Sequence, residues 1–538
     1  MIRKVLTLLL VFLIMGNSCG FCQDARNSSD LNFPIVNYQM KAERNTTPSV
    51  DHAKFDVLDQ EFGNAHQVTA ACLCCHNNRD QEVMGTSHWL WQREEELPGK
   101  GKVWLGKRNI LNNFCIGTRS NEGTCTRCHI GYGWKDKTFD FTDPLNIDCL
   151  VCHDKSNTYK KEKGGAGYPA ASVNLSYVAQ NVGTPARENC GVCHFWGGGG
   201  NNVKHGDLEK SLLDCKKKVD VHMSTEGEDM SCVDCHVTEK HEMAGKLYAL
   251  SSENKSRASC EYCHTASPHT NNTLNVHYHR IACQTCHIPT YAKVNGTKMI
   301  WDWSTAGRLD EHGKPMHEND ADGNHNYLSI KGNFVYNDDV VPEYYWFNGT
   351  ANHYLIEEKI FAVPLQMNTL YGSYVDRGQD GGAISKIWPM KVHRGKQPYD
   401  TEYMSLIQAK TWDKESGKGA YWTDFDWQEA NRLGMEYVGL PYSGHFDFIE
   451  TEMYWPLNHM VSPAEQSLQC IDCHTRDKKG RLANLDDFYL PGRDVSMGVE
   501  TAGVSFVLAS LIGVAFHAFC RAVFGGRCIV NNRKEDEF

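Results

Sequence analysis

Two apolar runs frame an otherwise polar chain. Near the start, Arg3 and Lys4 precede an apolar run from Val5 to Met15, followed by small and polar residues from Gly16 to Gly20. That is the form of an export signal, too short for a comfortable membrane span, with cleavage expected near Cys22 and Gln23. Near the end, Ala502 to Phe524 is apolar at spanning length and is broken only by His517 and Arg521. Arg521, Arg527, Arg533 and Lys534 close or follow it, which places the tail on the cytoplasmic side and the body outside. The predicted organisation is a signal peptide at 1–22, an exported body at 23–498, a transmembrane anchor at 499–524 and a cytoplasmic tail at 525–538.

Between these runs the pattern is weak. Residues 23–65 are polar and rich in Asn, Asp and Thr, as expected of a wrapping arm. Residues 288–469 contain no Cys and many aromatics, among them Trp301, Trp303, Tyr344, Tyr345 and Trp346, with neither a heptad nor a β alternation. This stretch reads as irregular chain with a few helices, one at Asp426 to Val438. Glycine clusters at Gly164–Gly165 and Gly197–Gly200 mark turns where the backbone approaches another group closely.

One motif organises the rest. Cys-x-x-Cys-His stands at Cys72/Cys75/His76, Cys125/Cys128/His129, Cys149/Cys152/His153 and Cys190/Cys193/His194. It returns at Cys232/Cys235/His236, Cys260/Cys263/His264, Cys283/Cys286/His287 and Cys470/Cys473/His474. Two thiols three positions apart each add across one vinyl group of a haem, and the adjacent His reaches the iron. Zinc or disulfide use of Cys pairs does not demand His after every pair. Eight repeats therefore predict eight covalent c-type haems, using 16 of the 23 cysteines. The expected fold is a multihaem cytochrome c, mainly α with extensive irregular loops around the haems, plus one C-terminal transmembrane helix. Attachment of haem c outside the bacterial cytoplasmic membrane agrees with export, and the expected location is periplasmic and membrane-anchored. A net charge of −11 argues against nucleic acid as a partner. A structural Ca²⁺ is compatible with the composition, although no acidic loop stands out for it.

Of the 25 His, 17 lie outside the motifs and are candidates for the second axial position. His88, His205, His222, His241, His269, His277, His279, His393, His445 and His459 have the most suggestive placement. Closing both axial positions with His favours electron transfer, whereas an enzyme needs one iron that can bind substrate. His517, inside the apolar run, is a candidate ligand to a b-type haem shared with a partner subunit.

Longer motifs surround these residues. Thr86-Ser87-His88-Trp89, Asn112-Asn113-Phe114-Cys115, Gly131-Tyr132-Gly133-Trp134 after the second haem motif, and Asp148 to Asp154 around the third resemble the octahaem tetrathionate reductase family. The likeness runs on through Cys190 to Phe195, Val203 to Leu208, Asn275 to Pro289, Lys391 to Asp400 and Leu457 to Met460, but does not extend to the terminal span. It implies a periplasmic reductase related to pentahaem nitrite reductase and hydroxylamine oxidoreductase, acting on nitrite, hydroxylamine or tetrathionate. It also implies that the active haem is the second, bound through Cys125, Cys128 and His129 with a Lys amine as sixth ligand, the other seven being bis-His. The matching Lys lies among Lys160, Lys161 and Lys163, with Lys161 preferred. A neutral amine is required to bind iron, and burial beside a metal favours it. Cys74 is a candidate lining the pocket, with a disulfide to Cys115 as the alternative, and Asp154 is a candidate proton donor. The rival readings are an electron conduit between a quinol dehydrogenase and other cytochromes, and a hydroxylamine oxidase. Expected partners are a membrane quinol dehydrogenase or cytochrome as donor, the membrane itself and further copies of the chain.

Overall fold

The computed structural model describes residues 49–245, 257–376 and 384–531, with side chains to 524. The expected signal peptide and the end of the tail lie outside the described residues. The haem motifs occupy short helical turns: the C-terminal end of α1 (Ala65–Cys75), α2 (Glu122–Cys125) with the 3-10 turn after it, α3 (Leu150–His153), α4 (Arg187–His194) and similar turns at the later motifs. The turn is what the motif needs, because residues three apart on a helix share one face. In α1 the Asn64 side chain caps the start by accepting from Gln67 N at 3.1 Å, and the helix stops at the motif.

The cysteine-free stretch is not irregular. It builds a nine-stranded mixed sheet, which corrects the expectation of a mainly α protein. Its strands are β1 (Thr297–Asp302), β2 (His317–Asn319), β3 (His325–Leu328), β4 (Gly332–Asn337), β5 (Glu343–Phe347), β6 (Leu365–Gln366), β7 (Lys386–Asp400), β8 (Ser405–Leu406) and β9 (Phe446–Pro456). The order is β6-β9-β7-β1-β4-β3-β2, with β5 and β8 also pairing with β7. The 15-residue β7 is the spine, antiparallel to β9 from Met390↔Pro456 to Asp400↔Phe446 and parallel to β1 at Arg394↔Ile300. Nearly every side chain of β7 is buried, on both faces, so its sequence carries no alternation.

Helix α5 (Trp427–Val438) forms where the sequence places it. Asp426 caps it by accepting from Glu429 N, and Gly439 ends it at φ 75°, a conformation that favours glycine. At the C-terminus α6 (Met497–Asn531) leaves the body; its most apolar 18 residues within Met497–Phe524 have a mean hydropathy of 2.0 and none of them is buried, and the helix is long and apolar enough to cross a membrane.

Candidate haem centres

Seven of the eight motif imidazoles face a second imidazole. The ring centroids are 6.3 Å apart for His76 and His52, 6.4 Å for His153 and His241, and 6.1 Å for His194 and His88. They are 6.3 Å apart for His236 and His459, 6.1 Å for His264 and His222, 6.0 Å for His287 and His269, and 6.1 Å for His474 and His277. Two rings bound to opposite sides of one metal, each with a metal–nitrogen bond of about 2.0 Å, have centroids about 6 Å apart. The spacing therefore fits bis-His haem iron.

The ring hydrogen bonds agree. Nδ1 of His153 lies 2.9 Å from the Gly183 carbonyl, that of His236 2.7 Å from Ala244, and that of His474 2.7 Å from Pro491. Donation from Nδ1 leaves Nε2 for a metal. On the opposite sides, Glu82 and Asp207 accept in the same way from His241 and His459. Five of these pairs border one continuous chamber of about 4360 Å³, which is also lined by cysteines of the first seven motifs.

His129, the imidazole of the second motif, is the exception. Its ring lies in an aromatic box, with centroids 5.2 Å from Trp89, 5.3 Å from Trp91, 4.8 Å from Trp134 and 5.7 Å from Phe139. Its Nε2 is 2.6 Å from the Trp89 carbonyl, and burial pushes its pKa down to about 3. Gly131 makes room: a Cβ there would lie 2.9 Å from both this ring and Trp89. Among the motif imidazoles, His129 is the one whose Nε2 rests on a backbone carbonyl.

Beside it stands Lys161. A short antiparallel turn, with bridge Lys161↔Pro169, carries the residue inward, and its side chain is 3% exposed. The amine is 2.9 Å from Asp148 Oδ2 and 3.2 Å from the Gly131 carbonyl, and it also bonds the His129 carbonyl. Asp148 accepts in addition from Tyr132 at 3.1 Å, Tyr159 at 2.7 Å and Val151 N at 3.1 Å. Lys160 and Lys163 are exposed.

Other sequence candidates are placed differently. Cys74 is an exposed thiol on α1, outside the residues that line the chamber, and neither it nor Cys115 is in a disulfide. Asp154 accepts from Ser156 N, Ser156 Oγ and Tyr159 N, and so fixes the turn that leads to Lys161. His205 packs on Trp455 at 5.1 Å, His279 on Tyr278 at 6.0 Å, and His393 hydrogen-bonds Asn113 at 3.2 Å; none faces a motif imidazole. His445 pairs with Glu402 at the surface. Among the described residues no group of three or more His, Cys, Asp or Glu is placed to hold a metal ion. His52, Asp148 and Tyr159 are the residues that sequence reasoning missed. The signal for His52 was its position in the polar arm shortly before the first motif.

Cysteines of different motifs touch, and each thiol stands where a haem thioether would be. The sulfurs of Cys72 and Cys149 lie side by side, joining the first motif to the third; those of Cys128 and Cys193 join the second to the fourth. Cys190 and Cys232 join the fourth to the fifth, and Cys260 and Cys283 the sixth to the seventh. Cys152 and Cys190, Cys235 and Cys263, and Cys286 and Cys470 lie within electrostatic reach, closing the remaining gaps. The motifs run one, three, four, five, six, seven, eight, with the second branching from the fourth.

Paired cysteines on helical turns, facing imidazoles and a large internal chamber define a multihaem c-type cytochrome. Residues 298–477 match the family model described as bacterial cytochrome c. The chain is 45% identical to the octahaem cytochrome c of Shewanella oneidensis, across 80% of this chain and 95% of that one, with a TM-score of 0.73. An uncharacterised protein of Archaeoglobus fulgidus is 24% identical over 243 residues, 36% of this chain and 80% of that protein. This chain belongs to the octahaem cytochrome c family.

Proposed function

We propose that this protein is a multi-electron reductase of small nitrogen or sulfur oxyanions, with nitrite, hydroxylamine and tetrathionate as the substrate class, and that it reacts at the haem of the second motif. The observation that carries the reading is the asymmetry of the imidazoles: seven are paired across about 6 Å, and His129 is turned onto the Trp89 carbonyl. Haem at this motif supplies an iron that binds substrate and passes electrons to it.

The protein does the rest. The aromatic box holds the His129 ring on the Trp89 carbonyl, and the buried Lys161 amine beside it would serve as a ligand to the iron of that haem. A metal-bound amine keeps N–H bonds, and Asp148 with the Gly131 and His129 carbonyls are placed to accept them. Lys107 and Lys204 border the chamber; burial pushes Lys204 down to about 7, with Lys107 adding to the shift. Positive charge on either amine favours an anion beside the second motif. The seven paired sites relay electrons in the order of the touching cysteines. We place the haem body in the periplasm, anchored by α6, with a membrane quinol dehydrogenase or cytochrome as donor.

The test is titration of the purified protein with nitrite and hydroxylamine, followed by turnover with a reduced viologen. Perturbation of a single haem, dye oxidation coupled to ammonium formation, and loss of both in Lys161→Ala but not in Lys160→Ala or Lys163→Ala are expected. Full haem loading with no spectral change and no turnover on any of the three substrates identifies a conduit instead.

A further inference from the structure

The helical turn α2, which carries the first cysteine of the second motif, has another face. Its first residue, Glu122, is 5% exposed, and its Oε1 accepts from the Tyr437 hydroxyl of α5 at 2.8 Å. Both border a cleft of about 600 Å³ between α5, residues 135–137 and residues 410–414. The Trp412 indole is a wall of this cleft and of the haem chamber at once. Two glycines press against the indole: a Cβ at Gly123 would lie 2.4 Å from the ring, and one at Gly164 2.9 Å. Asn121 Oδ1 fixes its backbone, accepting from Thr411 N at 2.7 Å and Trp412 N at 3.0 Å. A buried carboxyl thus lines the cleft, one helical turn from Cys125 of the second motif.

We propose that Glu122, with Tyr437, is the inlet through which protons pass from the cleft to the reacting haem. The proposal rests on the second haem being the reducing site. Reduction of hydroxylamine breaks the N–O bond with a pair of electrons from the neighbouring haems and a pair of protons. One proton completes ammonia and the other leaves with the oxygen as water. A buried reaction site needs a protein group to carry protons in, and a carboxyl that titrates near neutral pH both takes and gives them.

Burial pushes the Glu122 carboxyl up to about 7; the Tyr437 hydrogen bond and Arg119 pull it down, while Asp136 raises it. The other charged groups facing the cleft are Lys135, Lys137, Lys410 and Lys414, set against Asp413 and Glu436. Lys410 is already paired with Asp413 at 2.8 Å.

The experiment measures kcat and KM for hydroxylamine against pH in the full-length protein with reduced viologen. Wild-type kcat should fall as pH rises through about 7, where the carboxyl loses its proton. Glu122→Gln should lower kcat about 10-fold or more at pH 7 with KM unchanged, and remove that limb. Tyr437→Phe should move the limb to higher pH, since the anion loses its donor, and Glu122→Asp should restore part of the rate. Dithionite reduction of the haems without substrate, unchanged in each variant, shows that the body is intact. Wild-type turnover with Glu122→Gln retaining both rate and pH limb overturns the inlet alone. A wild type inactive on hydroxylamine, nitrite and tetrathionate overturns the reductase reading, and the inlet with it.

Discussion

Asp148 holds the Lys161 amine at 2.9 Å, and neither side chain has meaningful contact with solvent. An acid deep in a protein is tolerated when its charge is matched and its lone pairs are used, and Tyr132, Tyr159 and Val151 N use those that Lys161 leaves. Asp148→Asn removes the charge while keeping the shape. It should cost about 1–3 kcal/mol, read as a lower thermal midpoint, because the amide cannot accept all the buried donors that the carboxylate satisfies. It should also change the spectrum of one haem. A melt and a spectrum both equal to wild type would remove Asp148 from the site.

His52 faces His76 from the N-terminal arm. His52→Ala should convert one low-spin haem to high-spin, seen by electron paramagnetic resonance, and leave hydroxylamine reduction at the second motif within about threefold of wild type. Unaltered low-spin intensity would mean that this imidazole is not a ligand.

Glu122 also sets a sign for stability against pH. Its ordinary value is 4.5 and the folded value is about 7, so between these the native state holds a proton that the unfolded chain has lost. The contribution is complete below 4.5 and disappears as pH rises through about 7. It amounts to at most about 3 kcal/mol. The thermal midpoint should fall more steeply between pH 5 and 8 in wild type than in Glu122→Gln; parallel slopes would count against the buried acid.

Helix α6 buries none of its apolar surface over Met497–Phe524. A chain ending at Ser496 should stay in solution without detergent and keep its haem spectrum, whereas the full chain should sediment with membranes until detergent is added. Full-length protein that is monodisperse in plain buffer would exclude the anchor.

Sequence made the chemistry legible and left the scaffold obscure. The Cys-x-x-Cys-His repeat is local, so its helical turns could be placed by inspection. Distal imidazoles are set by packing: His88, His222, His241, His269, His277 and His459 face motif rings, while His205, His279 and His393 do not, though all nine look alike in one dimension. The sheet was missed because β7 is covered on both faces, and burial without a solvent side erases the period that identifies a strand. The turned ring of His129 depends on Trp89, Trp91 and Trp134 converging in space, with Gly131 leaving room, which no spacing rule reveals.

The order of touching cysteines sets the second motif beside the line rather than on it. Such a spur does not interrupt traffic along the other seven sites. On the reading proposed above, they would fill while the reacting centre waits empty, and discharge together once a substrate arrives. A reductase built on this branch would work as a charged reservoir with a single tap. A molecule that must accept several electrons in succession can then be carried through to product without leaving half-reduced, and without the donor having to return between steps.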